Sequence, residues 1–204
     1  DQRPRPVVGV VGEIYLRSHS FGNREVIRRI EKLGGEVWLA PIGEWLLYTT
    51  NRFIENSRRD KNYLDLLKGY MQDRIQKRDE HRLYRPFEQF LRNGLDEATG
   101  RTLERAAPYL HHTFEGEAIL GVGKGVEYAR RGLAGVVNIL PFSCMPGTVV
   151  AALSGKIRDD HDAIPWLNLD YDGMEDSGVK TRLEAFMYQA QQYRTRRLSA
   201  STQR

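Results

Sequence analysis

The chain has 204 residues, 40% of them hydrophobic and 28% charged, with a formal net charge of +4 and one cysteine. This supports a real core in one large or two small α/β domains, and no run comes near the roughly 18 apolar residues of a membrane-spanning helix. A lone cysteine excludes an internal disulfide and, with no signal-peptide pattern at the start, predicts a cytoplasmic setting.

Residues 1–6 are polar and proline-containing and read as a linker. Val7-Val-Gly-Val-Val11 has the pattern of a buried strand, followed by a loop from Gly12 to Gly22. A helix is predicted from Asn23, its N-cap, with Val26, Ile27, Ile30 and Leu33 on one face and Gly34-Gly35 as its stop. Glu36 to Ala40, closed by Pro41, is the second strand and completes a βαβ unit. Residues 43–105 carry little strand signal. Tyr63, Leu66, Leu67, Tyr70 and Met71 recur at helical spacing there, as do Phe87, Phe90, Leu91 and Leu95. This segment reads as a helical insertion broken near Pro86, with stripes that face a core rather than a cofactor. Basic residues alternate with acids in it, as in Arg58-Arg-Asp-Lys61 and Lys77-Arg-Asp-Glu80. The concentrated basic face of a nucleic-acid binder is missing.

Strand–helix alternation then resumes. Residues 108–123 read as a connection and Lys124 to Arg131 as a short helix stopped by Gly132. Residues 134–140 read as the central buried strand, ended by Pro141. After Phe142-Ser-Cys-Met-Pro-Gly147, a helix is predicted from Thr148 to about Asp159. Ile164 to Tyr171 is the fourth strand, with Pro165 at its start, and Asp172 to Asp176 an acidic loop. The last helix begins near Gly178, with Leu183, Phe186, Met187 and Ala190 on one face, and the polar tail from Thr195 is expected to fray. Four strands alternating with helices predict a doubly wound, mostly parallel, Rossmann-like sheet in one domain over 7–194 that carries the insertion.

In such a sheet the loops after the strands converge on one edge. They carry Glu13, Arg17, His19 and Ser20; Glu44 and Trp45; Ser143 and Cys144; and Asp170, Asp172, Glu175 and Asp176. Cys144, between a strand and a helix, suits a metal ligand or a nucleophile. The alternative is a small packed side chain. Gly121-Val-Gly-Lys-Gly125 fails the P-loop pattern, and Gly9 to Gly12 lacks the dinucleotide fingerprint, so no nucleotide-binding residues are assigned. Ser143 does not sit in a nucleophile elbow, and His111, His112 and His161 have no partners at zinc-site spacing.

Four segments carry a family resemblance: Gly12-Glu-Ile-Tyr-Leu-Arg17 with Ser20-Phe-Gly-Asn23; Gly34-Gly-Glu-Val-Trp-Leu-Ala-Pro-Ile-Gly-Glu-Trp45; Asn138-Ile-Leu-Pro-Phe-Ser-Cys-Met-Pro-Gly-Thr148; and Pro165-Trp-Leu-Asn-Leu-Asp-Tyr-Asp-Gly173 with Thr181-Arg-Leu-Glu-Ala-Phe186. They resemble the acyl-CoA dehydratase activase-related family, also described as CoA-enzyme activase or 2-hydroxyglutaryl-CoA dehydratase-like. The likeness runs from about Val7 to Gln192 and is faint over 50–105. It implies a 4Fe-4S type iron–sulfur cluster held between α/β domains by cysteines from separate segments. An ATPase activator would inject one low-potential electron, with an acyl-CoA as the substrate class. On this resemblance Cys144 is a metal ligand, and Glu13, Arg17, Ser20, Glu44, Ser143, Asp172 and Arg182 border the cluster or substrate. A cubane cluster takes several cysteines and this chain has one. The expectation is therefore one domain of a longer multidomain protein, inert alone and carrying no cluster by itself. Other domains or a partner subunit would complete the site. Two further readings stay open: a scaffolding domain that docks the ATPase module without metal, and a hydrolase or transferase with Cys144 as nucleophile.

Overall fold

Four short runs rich in valine, isoleucine and leucine form the sheet in the computed structural model, which describes residues 5–90, 99–172 and 178–202. They are β1 (Val7–Gly12), β2 (Glu36–Leu39), β3 (Gly135–Pro141) and β4 (Trp166–Tyr171). The order is β2-β1-β3-β4 and every pairing is parallel, with Val10 beside both Leu39 and Val137, and Ile139 beside Leu169. The helices are α1 (Ile14–Ser18), α2 (Val26–Lys32), α3 (Gly43–Arg59), α4 (Tyr63–Tyr84), α5 (Thr99–Ala106), α6 (Glu117–Arg130), α7 (Met145–Asp160) and α8 (Val179–Thr202). No helix among the described residues is long and apolar enough to cross a membrane.

Side chains alternate across a strand, and both faces here are apolar. Val8, Val10, Val137, Ile139 and Leu169 pack on Val26 and Ile30 of α2 and on Leu183, Phe186 and Met187 of α8. On the opposite face Val11 and Val136 pack on Tyr128 and Ala129 of α6, and Leu140 meets the first turn of α7 at Gly147. Helices thus cover both faces, the doubly wound arrangement predicted from the alternation. Each fully buried valine or isoleucine contributes about 1.5–3 kcal/mol, which makes this sandwich the main source of stability.

The chain divides into two compact units. Asp1–Ala40 with Thr102–Arg204 holds the sheet, and Pro41–Arg101 holds α3 and α4. In the second unit α3 and α4 meet where Gly69 lies against Phe53 and Ile54, and Gln72 Nε2 donates to Thr50 Oγ1 at 3.2 Å. A 3₁₀ turn, Arg85–Phe90, follows α4 at the predicted Pro86 break. The stripe on α4 was expected to face a core, but Tyr63 is 76% and Leu67 60% exposed. α4 meets α3 at the crowded Gly69 position, where Arg58 of α3 also donates to the Tyr70 hydroxyl, while Tyr63, Leu67 and Met71 of the stripe stay exposed. Leu91 and Leu95 of the second stripe lie outside the described residues.

Other boundaries differ for identifiable reasons. The predicted Gly12–Gly22 loop contains α1, whose Glu13 carboxylate accepts from the Tyr15 and Leu16 amides as an N-cap. α2 starts at Val26 rather than Asn23, yet Asn23 Oδ1 still accepts from the Val26 amide. Gly34, at φ +85°, ends α2 in a Schellman arrangement: the Gly35 amide donates to Ile30 O and the Gly34 amide to Glu31 O. Seven residues of the predicted 108–123 connection belong to α6, whose residues Ala118 to Ala129 are all buried. A helix buried all round has no polar face, so its periodicity is invisible. α7 begins at Met145 rather than Thr148, with Pro146 in its first turn, where a missing N–H costs little. β4 begins one residue after Pro165, whose carbonyl accepts from the Val136 amide. The Thr195 tail is helical to Thr202, anchored by buried Tyr193.

Candidate functional site

Because all four strands run the same way, their carboxyl ends share one edge. β1 connects to β2 on one side and β3 to β4 on the other, so the crevice between β1 and β3 is the topological switch point, where ligands settle in open α/β sheets. Gly12 ends β1 there with φ +120°, and a Cβ at this position would lie 1.9 Å from Ile139 O, so only glycine lets the strands close. The Glu13 amide donates to Ile139 O at 3.0 Å, which ties the start of α1 to β3. Arg17, only 4% exposed, donates from Nη1 to Gly12 O at 3.2 Å.

Glu117, the first residue of α6, completes this side of the rim. Burial raises its carboxyl group above the usual range, and the neighbouring negative charge of Glu13 adds to that. The Arg17 guanidinium and a hydrogen bond from the Ile14 amide oppose the shift. The sequence reading missed Glu117 because it lies in the segment read as a connection. The available signal was a glutamate opening an apolar run, which favours a helix N-terminus.

Across the crevice, β3 ends at Pro141 in a tight turn. The Phe142 amide donates to Tyr171 O at 2.8 Å, Ser143 adopts the left-handed region at φ +62°, and the Cys144 amide donates to Pro141 O at 3.0 Å. Cys144 is the N-cap residue of α7, and its carbonyl accepts from both the amide and the hydroxyl of Thr148. The residue is half-buried, neither sealed in the core nor fully exposed. Exposed Phe142 and Met145 flank it. Beneath the turn, fully buried Asn138 donates from Nδ2 to Gly147 O at 3.2 Å and to Asn168 Oδ1 at 3.1 Å. Asn168 also accepts from Trp166 Nε1 and donates to Ser154 Oγ, so a polar ladder joins β3, β4 and α7 under Cys144. The sequence reading assigned Asn138 only to a buried strand.

Of the remaining predicted residues, Ser20 lies on the exposed turn after α1 and lines a pocket with Arg17, while the others disperse. His19 Nδ1 accepts from the Gly22 amide while its ring stacks on Tyr15 at 4.8 Å. Asp172, after β4, accepts from Arg24 through its carbonyl at 3.4 Å and faces it with its carboxylate at 4.0 Å. Arg182 donates to Asn168 O and lies 3.6 Å from Asp170, at the outer side of β4. Glu44 and Trp45 sit in the first turn of α3, within the second unit. Glu175 and Asp176 lie outside the described residues. Glu13, Arg17 and Glu117 therefore form one charged group, and Cys144 follows the neighbouring strand. Among the described residues, no three His, Cys, Asp or Glu side chains are grouped to hold a metal ion. Cys144 can supply one ligand and no more. Comparison with protein-family models, curated proteins and solved structures returned no match for this chain.

Proposed function

We propose that this chain is one α/β domain of an iron–sulfur component in an ATP-dependent acyl-CoA dehydratase, reductase or activase system, giving Cys144 as a single ligand to a shared cluster. The observation that carries the reading is the setting of Cys144: a half-buried cysteine at the carboxyl edge of β3, next to the switch point, at the N-cap of α7. The resemblance of the strand-end segments supports the same assignment. One thiolate fits one corner of a cubane and not the whole, so other domains of the protein or a partner subunit bring the remaining ligands. When bound, the cluster supplies a one-electron centre for the activated acyl-CoA substrate, reduced through the ATPase activator.

The chain's own residues then have definite tasks. The Pro141–Cys144 turn and the Asn138–Gly147 bond hold the thiol's backbone in place, and hydrogen-bonded surroundings of this kind tune a metal site. Burial and the neighbouring Glu13 raise the carboxyl group of Glu117 beside the crevice, while Glu13 and Arg17 set the local charge. Phe142 and Met145 beside Cys144, and Tyr15 and Phe21 after β1, are each more than 60% exposed, apolar side chains that an adjoining domain would cover. The test is iron content: Cys144→Ser in the complete assembly, purified without oxygen, loses bound iron, whereas unchanged iron rules out the assignment. A metal-free docking domain for the ATPase module is the second reading, favoured by the same exposed rim, and it predicts altered stability with no change in iron.

A further inference from the structure

The face of α4 turned away from α3 is apolar and exposed. At about 100° per residue, Leu64, Leu67, Met71 and Ile75 fall on the side of the helix opposite Gly69, the residue that lies against Phe53 and Ile54 of α3. These four and the adjoining Tyr63 are each about half exposed or more. At roughly 200 Å² for a fully exposed large side chain, the stripe presents roughly 600 Å² of apolar surface, at the upper end of what a monomeric protein leaves bare. A standard interface buries about 800 Å² per partner, so the stripe and the polar side chains flanking it are wide enough for a stable dimer.

The order of residues along the stripe selects the occupant. A two-fold interface is self-complementary, since residue i of one copy meets residue j of the other and j meets i. In an antiparallel pair of α4 helices with its axis level with position 69, Leu67 meets Met71 and Tyr63 meets Ile75. Exposed Asp60, in the turn before the helix, comes level with exposed Arg78, and all three pairs are centred on 69. Leu64 falls opposite Arg74, whose aliphatic stem covers it. The like-charged pair in this register, Asp65 and Asp73, is half-buried off the stripe. Each of these acids is held by a lysine of its own helix, Lys68 at 2.8 Å and Lys77 at 2.7 Å. A lipid surface fits less well, because α4 sets four acids among its five lysines and arginines. We infer that this face of α4 docks a second copy of the chain, the two helices running antiparallel with Asp60 of each copy beside Arg78 of the other. The inference uses neither Cys144 nor iron, and it stands or fails separately from the proposed cluster.

Sedimentation velocity of the 204-residue chain over a range of concentrations tests it. The mass should rise from 23.5 kDa to twice that value, with a Kd of about 10 µM. Leu67→Glu with Met71→Glu sets carboxylates against one another and should weaken association about a hundredfold. Both side chains are exposed, so the far-ultraviolet circular dichroism should be unchanged. Arg78→Asp, which faces Asp60 with a second acid, should weaken the dimer about tenfold, and adding Asp60→Arg should restore the parent value to within about threefold. A chain that stays monomeric at about 100 µM would overturn the inference. A dimer indifferent to the Leu67 and Met71 changes would place the contact elsewhere, and a charge swap that stays weak would deny the antiparallel register. Both of these results also contradict it.

Discussion

Glu117 makes the electrostatics of the rim testable at a single side chain. Its carboxyl group is raised by burial and by Glu13, so the folded state binds this proton more tightly than the unfolded chain does. Stability from this group is therefore fully present below the ordinary carboxylate range and is lost as pH rises through the folded-state value. Glu117→Gln, which keeps the neutral form at every pH, should be more stable than the parent at pH 8, and the difference should close near pH 4. Urea unfolding at the two pH values checks this, and a difference that grows on acidification would reverse the sign. Glu127 is a buried carboxylate held by ion pairs. It is 1% exposed and contacts Lys124 at 3.1 Å, Arg105 at 3.1 Å and Arg131 at 2.9 Å. Glu127→Gln leaves three cations around a neutral amide and should cost about 3–5 kcal/mol, read from the denaturant midpoint. Neither glutamate stood out in the sequence, because a buried charge is defined by partners distant along the chain, as Arg105 is for Glu127.

α6 accounts for most of the misread boundary, and it tests what its glycines do. A Cβ on Gly123 would lie 2.2 Å from the Thr102 carbonyl, a backbone atom that cannot yield cheaply. Gly123→Ala should cost about 3 kcal/mol or more, as overpacked cores do. Gly155, in α7, has no atom within 4 Å of the equivalent point. Gly155→Ala should stabilise by about 0.5–1 kcal/mol through helix propensity alone. Thermal unfolding of the two variants separates close packing from propensity, and similar effects in both would deny the close approach at Gly123. The ladder under Cys144 belongs to the same scale. Asn138→Ala removes the side-chain donor to the Gly147 carbonyl and one of two donors to Asn168 Oδ1, which keeps Trp166 Nε1, and should cost about 1–3 kcal/mol in urea unfolding.

For the molecule as a whole, the parallel sheet was legible because Val7–Val11, the run through Val136, Val137 and Ile139, and Trp166–Tyr171 carry local strand signals separated by helical ones. The gathering of Glu13, Arg17 and Cys144 at one edge followed from that alternation. The partners of Glu117 and Asn138 were not legible, since each depends on which segments meet in space. The exposed stripe on α4 escaped for a related reason: helical spacing identifies an apolar face but not what covers it. The central claim concerns Cys144, and the most direct measurement is iron and acid-labile sulfide in the complete protein and its partners, purified anaerobically as parent and Cys144→Ser. The account predicts that the parent assembly carries a cluster and that the variant loses its iron while its far-ultraviolet circular dichroism is unchanged. A parent assembly without iron, or a variant that keeps it all, would contradict the account.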